Sequence, residues 1–184
     1  MNAAYAIAPR ISPEEYLRLE EAADEKHEYA DGRIVAMAGA SDNHELAAMN
    51  LSGALLQHLR GKGCRVYKSD MKLRLELHRA DLFYYPDVMV VCDPADTHET
   101  YKTRPRVLAE VMTEFKKDHM EKLFAYQQIP SLEEYLVVDQ VPAHPRAWIY
   151  RRASGWNQEQ VAPDGAITLT SLDFSIPLAS LYVV

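Results

Sequence analysis

Tyr85-Pro86-Asp87-Val88-Met89-Val90-Val91-Cys92 and Val107-Leu108-Ala109-Glu110-Val111-Met112 are the two stretches that decide the fold. Both are of strand length, and both are apolar on successive residues, so each belongs inside a sheet with both faces covered. Each also carries an acid where acids are uncommon: Asp87 at the mouth of the first run and Glu110 within the second. A carboxylate in a buried strand is costly unless it is paired or bound to a cation. Two strands that each deliver one therefore predict a site for a hard divalent metal ion. Pro86 strengthens the reading, because it withholds an N–H and so marks an edge, a strand start or a bulge where a side chain is re-aimed.

Outward from these runs the periodicity sets the rest of the architecture. Met71, Leu73, Leu75 and Leu77 alternate with Lys72, Arg74 and Glu76, which predicts a half-buried strand; His78 to Asp81 then turns the chain toward the Val88 strand. Asp42-Asn43 caps a helix from His44 with Ala47, Ala48, Leu51, Leu55 and Leu59 at helical spacing, ended by Gly61 and Gly63. Ser12-Pro13-Glu14-Glu15 starts an earlier helix that is expected to run toward Glu28, before a turn at Asp31-Gly32 and a strand over Arg33 to Ala38. Downstream, Lys116 to Gln128 reads as a helix stopped before Pro130, followed by strands at Glu134 to Asp139 and Arg146 to Arg151. Asp164-Gly165 signals a hairpin between Gln158 to Val161 and Ile167 to Thr170, and the apolar stretch Ile176 to Val183 follows. The order calls for an α/β fold with a mixed central sheet flanked by helices. With no linker or repeat in sight, 12–184 is expected to be a single domain and 1–11 an N-terminal extension.

Composition bounds the partners. In 184 residues, 20 Lys and Arg face 27 Asp and Glu, so the field of the whole molecule repels phosphate and any DNA-binding groove must be local. The densest basic segment is Arg60, Lys62, Arg65, Lys68, Lys72 and Arg74, within which Lys68, Lys72 and Arg74 are candidate DNA contacts; Lys72 and Arg74 share a strand face with Asp70. The bland reading of that segment is a solvated face. Cys64 and Cys92 lack CxxC spacing, which points to neither a zinc site nor a disulfide framework and fits a reducing, cytoplasmic location. The first residues lack a signal-peptide layout and no apolar run nears the roughly 20 residues that span a bilayer, so a soluble protein with no membrane partner is expected.

The ordered set of Asp24-Glu-Lys-His-Glu-Tyr-Ala-Asp-Gly-Arg33, Tyr85-Pro-Asp-Val88, Leu108-Ala-Glu-Val111 and Asp118-x-x-x-Lys122 with Ala125-Tyr126 resembles the Uma-type restriction endonucleases, a branch of the PD-(D/E)xK nuclease superfamily. The resemblance covers about Ile11 to Tyr182 and implies a restriction-endonuclease-like core and magnesium-dependent cleavage of DNA, with manganese as an alternative ion. It places Asp87 as the aspartate of the PD element and Glu110 as the acid of the (D/E)xK element. The lysine expected two residues after Glu110 is Met112, and Lys122 from the following helix is its substitute. By the same resemblance Glu28 matches a first-helix glutamate that assists a metal or its water, and His44 and Asp70 fall at usually polar positions. The segment Thr113-Glu-Phe-Lys-Lys117 departs from the family pattern.

Each candidate has a structural alternative. Asp87 could cap a strand, Glu110 could be a buried acid paired for stability, and Lys122 could be the surface partner of Asp118 four residues earlier. Glu28 could be a solvated residue at a helix end and His44 a cap neighbour, while Tyr84, Tyr85 and Tyr126 are core aromatics or stacking platforms for bases. Three functions follow in order: a magnesium-dependent DNA endonuclease, homodimeric by analogy with enzymes that cut both strands; a nuclease-fold module that has lost hydrolysis and binds nucleic acid or protein, which Met112 favours; and a metal-dependent hydrolase of a small phosphorylated substrate, which suits the acidic charge but lacks a Gly-rich phosphate cradle.

Overall fold

The computed structural model describes residues 10–77, 80–112 and 117–183, without the side chains of 117–119. His78 of the expected turn, 113–116 of the segment after Glu110, the Asp118 side chain and most of the N-terminal extension lie outside the described residues.

The strands form a mixed α/β fold of two main sheets. The first joins β1 (His27–Ala30), β2 (Arg33–Ala36), β4 (Lys72–Leu77), β5 (Ala80–Tyr84) and β7 (Tyr101–Lys102) in the order β2-β1-β5-β4-β7. The second joins β3 (Arg65–Lys68), β6 (Val88–Val91), β8 (Val107–Met112), β9 (Glu134–Asp139), β10 (Ala147–Arg151) and β11 (Gln158–Val161) in the order β11-β10-β9-β8-β6-β3. A small third sheet pairs β12 (Ala166–Leu169) with β13 (Phe174–Pro177). Three helices complete the fold: α1 (Pro13–Glu21), α2 (Asp42–Leu59) and α3 (Lys117–Tyr126). No described helix is long and apolar enough to cross a membrane.

The six-stranded sheet is covered on both faces, as the doubly apolar runs require. Val88, Val90, Val107, Ala109 and Val111 pack with Leu51 and Leu55 of α2 and with Ile167 and Phe174 of the small sheet. Met89, Val91, Leu108, Tyr135 and Val137 face the other way, against Leu123 and Tyr126 of α3 and Leu73, Leu75 and Leu82 of the five-stranded sheet. Tyr16 of α1 stacks with Tyr29 and packs at a tilt against Phe83 on the far side of that sheet.

Four expectations change. The first helix ends at Glu21, and Glu28 lies in strand β1, because Asp31-Gly32, with φ of 46° and 88°, forms a tight hairpin that pairs His27–Ala30 with Arg33–Ala36. The strand after β4 is β5, its hairpin partner, and the chain leaves that sheet at Tyr85-Pro86-Asp87 to begin β6 in the other. The Asp164-Gly165 turn does not join two paired strands. β11 pairs with β10 and β12 with β13, since Ile167 and Leu169 are drawn into the core beside α2. Finally, Cys64 and Cys92 form a disulfide, contrary to the reading of their spacing. The antiparallel register Arg65↔Val91, carried one step outward, sets these residues directly opposite each other, a relation invisible in a 28-residue separation. The cysteines therefore no longer argue for a reducing compartment.

Candidate active site

Asp87 and Glu110 meet because of strand register. β6 and β8 are antiparallel with Val88 opposite Ala109, and the next step outward places Asp87 opposite Glu110. Alternation along β8 puts the Glu110 side chain on the face shared with Leu108, the side covered by α3; Asp87 precedes β6, and its carboxylate reaches the backbone of β8 and the first turn of α2. Asp87 Oδ2 accepts the Val111 N–H at 2.7 Å and lies 3.0 Å from His44 Nε2. Glu110, whose side chain is only 6% exposed, accepts the Tyr126 hydroxyl at 2.9 Å and lies 3.4 Å from Lys122 Nζ, both through Oε1. Burial pushes its carboxyl up to about 7; the Lys122 ammonium opposes this, Asp87 adds to it, and the Tyr126 hydrogen bond pulls it back in part.

Lys122 reaches Glu110 from α3. Its ammonium is 2.9 Å from Glu28 Oε1 and 5.4 Å from the Tyr84 ring centroid. Glu28 comes from β1 and also accepts the Tyr85 N–H at 3.4 Å. The lysine thus bridges carboxylates from two different sheets. Met112 lines the cleft above it.

His44 sits in the first turn of α2, where Ser41 caps its N–H at 3.3 Å. The hydrogen bond to Asp87 holds the imidazole pKa above its ordinary value despite burial. Its Nδ1 is buried and has no hydrogen-bond partner among the described residues, with Glu45 Oε1 at 4.0 Å.

Other expected residues do not converge. Asp70 is exposed and pairs with Lys26. Lys68, from β3, ion-pairs with Glu45. On the other sheet Lys72 lies over the Tyr85 ring at 5.3 Å, with burial holding its ammonium below the ordinary lysine range. Arg74 is held by Asp81 and Glu76, each at 3.1 Å, and by the Tyr101 hydroxyl at 3.2 Å. The three candidate DNA contacts are thus divided between two sheets, with Lys68 and Arg74 paired to acids and Lys72 over an aromatic ring. Tyr126 is the contact the sequence reading assigned differently. Its position four residues after Lys122 on one helix face was the available signal.

The carboxylate pair opens into a cleft of about 780 Å³, walled by the α1–β1 and β2–α2 connections and lined with more acid than base: Asp24, Glu25, Glu45, Asp87 and Glu110 against Lys26 and Lys122. Its donors fit a hard divalent cation. Among the described residues Asp87 Oδ1 and Glu110 Oε2 accept no hydrogen bond. No described group of three or more His, Cys, Asp or Glu converges at metal-binding distance. Two carboxylates with the remainder from solvent and substrate is the coordination that magnesium accepts and that zinc or calcium sites do not favour.

A family model described as "Uma2: Putative restriction endonuclease" matches residues 13–179. Two proteins of Synechocystis sp. (strain ATCC 27184 / PCC 6803 / Kazusa) are similar. Uncharacterized protein slr1290 is 40% identical over 133 residues, covering 71% of this chain and 69% of the relative, and uncharacterized protein sll1609 is 33% identical over 162 residues, covering 81% and 90%. The fold matches the crystal structure of "a putative nuclease belonging to DUF820" from Anabaena variabilis with a TM-score of 0.73 at 14% identity, over 94% of this chain and 97% of that one.

Proposed function

This chain belongs to the Uma2 family, and on that premise we propose that it is a magnesium-dependent endonuclease hydrolysing phosphodiester bonds of DNA at the Asp87–Glu110 cleft. The observation that carries the proposal is the opposition of Asp87 and Glu110 across adjacent strands at one cleft, with the Lys122 ammonium beside Glu110.

Asp87 and Glu110 would hold the ion. When bound, it neutralises the charge that builds on the phosphorane-like transition state and makes a water nucleophilic near neutral pH. The Val111 N–H and His44 fix the Asp87 carboxylate, and Tyr126 fixes that of Glu110, so neither has to reorganise when charge develops. Lys122 supplies positive charge next to Glu110, where solvent is largely excluded, and Glu28 keeps its ammonium there. Cutting both strands of a duplex favours two such sites related by symmetry, hence a homodimer.

The acidic lining of the cleft favours one other reading, a metal-dependent hydrolase of a small phosphorylated substrate, since no strip of unpaired basic residues along the described cleft draws in a polyanion. Supercoiled plasmid, a single-stranded oligonucleotide and p-nitrophenyl phosphate, each incubated with magnesium or manganese beside the Asp87→Ala variant, separate the two. Nicking that needs the metal and Asp87 supports the nuclease; turnover of the small ester alone supports the alternative; cleavage that persists in Asp87→Ala removes the site from the reaction.

A further inference from the structure

Helix α2 carries no Asp, Glu, Lys or Arg between Glu45 and Arg60, although only one of its faces is covered by the described residues of the chain. Ala47, Ala48, Leu51, Leu55 and Leu59 are buried. Away from them Met49 and Leu56, two turns apart, are 59% and 53% exposed. Asn50, next to Met49, donates its side-chain N–H groups to the carbonyls of Leu181 and Val183 at 3.0 and 2.9 Å, which brings the equally exposed Val183 to the flank of the helix. At the centre is Gly53, where an added Cβ would meet no atom within 4 Å. Glycine inside a helix is less stable than alanine, and nothing among the described residues uses the space it leaves. A solvated helix face is rich in charge, whereas an apolar strip with an unfilled notch at its middle is a surface made to be covered.

We propose that this face of α2 packs on the same face of a second copy of the chain, the two helices running antiparallel about a two-fold axis between Ser52 and Gly53. The helix's own symmetry selects that occupant. In this register Met49 meets Leu56 of the partner subunit, and Gly53 lets the backbones approach at the crossing. The exposed acid of the first turn, Asp42, comes to face Arg60 and Lys62 of the partner subunit beyond the helix end. Apolar residues at the centre and opposite charges at the two ends make the patch self-complementary, as an isologous contact requires. The contact gives a place to the homodimer proposed above. Because its test reads mass and crosslinking, it stands or falls separately from the reaction assigned to the cleft.

Sedimentation equilibrium of the full chain and of Leu56→Glu, an exposed position, tests the contact. A dimer is expected for the natural sequence, with association at least about tenfold weaker in Leu56→Glu at unchanged circular dichroism. Since Cys64 and Cys92 are bonded to each other, Gly53→Cys adds a single thiol, which should form an interchain disulfide on mild oxidation while a thiol at the exposed Gln128 does not. Gly53→Ala gives opposite signs for the two cases: a face that stays in water gains thermal stability with no change in mass, and a covered one loses association. A monomer at every concentration, a dimer indifferent to Leu56→Glu, or equal crosslinking from Gly53 and Gln128 would overturn the assignment.

Discussion

Lys122 Nζ lies 2.9 Å from Oε1 of Glu28, a residue 94 positions earlier in the chain. That contact ties α3 to strand β1 of the other sheet and fixes where the ammonium stands relative to Glu110. A lysine left to solvent would sample many rotamers; one with a carboxylate on either side does not.

Lys122→Met removes the charge and keeps most of the volume. Cleavage should fall by about 10²–10³-fold, the usual loss when one preorganised transition-state partner is removed. Because the ammonium also holds the Glu110 carboxyl down, metal affinity at neutral pH should drop and return at alkaline pH. Calorimetric titration of manganese at two pH values checks this. Affinity lost equally at both would make Lys122 a structural part of the metal site.

Glu28→Gln separates two roles for Glu28. As the group that positions Lys122, its substitution should lower the cleavage rate by roughly 10–100-fold and leave metal affinity almost unchanged. As a metal ligand, it should lose affinity in the same proportion as activity. Parallel rate and binding measurements on the one variant decide.

Glu110 makes the metal-free protein sensitive to pH. Its folded-state pKa, about 7, stands above its ordinary value of 4.5, so the folded protein keeps a proton that the unfolded chain has released. Its contribution to stability is therefore fully present below about pH 4.5 and is lost as pH rises through 7. Glu110→Gln should be more stable than the natural chain at pH 8, by on the order of a few kcal/mol, with the gap closing below pH 4.5. Urea unfolding in EDTA across that range measures it. Magnesium should then stabilise the natural chain and not the variant.

The Cys64–Cys92 bridge closes a loop of 28 residues and ties edge strand β3 to β6. Its removal by reduction, or by substitution of both cysteines with serine, should cost about 2–4 kcal/mol. Strand β3 also carries the chain to Ser69, whose N–H donates to the Asp87 carbonyl at 3.2 Å. Loosening it should accordingly show as faster hydrogen exchange at Ser69 before the whole chain unfolds.

The sequence by itself determined the local elements and the chemistry they carry. The doubly apolar runs around Val88 and Val107, the alternation from Met71 to Leu77 and the spacing of α2 all report periodicities of a few residues, which depend on neighbours in the chain. Asp87 and Glu110 were legible as charges in places where charge is costly, and Lys122 through the family resemblance. Only the tertiary structure decided which strands share a sheet, that Glu28 sits in a strand and holds Lys122, that Tyr126 rather than a cation alone supports Glu110, and that Cys64 faces Cys92. Those relations are set by register between segments distant in sequence. A shift of one residue would send every side chain of a strand to the opposite face. What selects the correct register is the burial of whole faces at once, such as Val88, Val90 and Val107 against α2, and no short stretch of sequence contains that information.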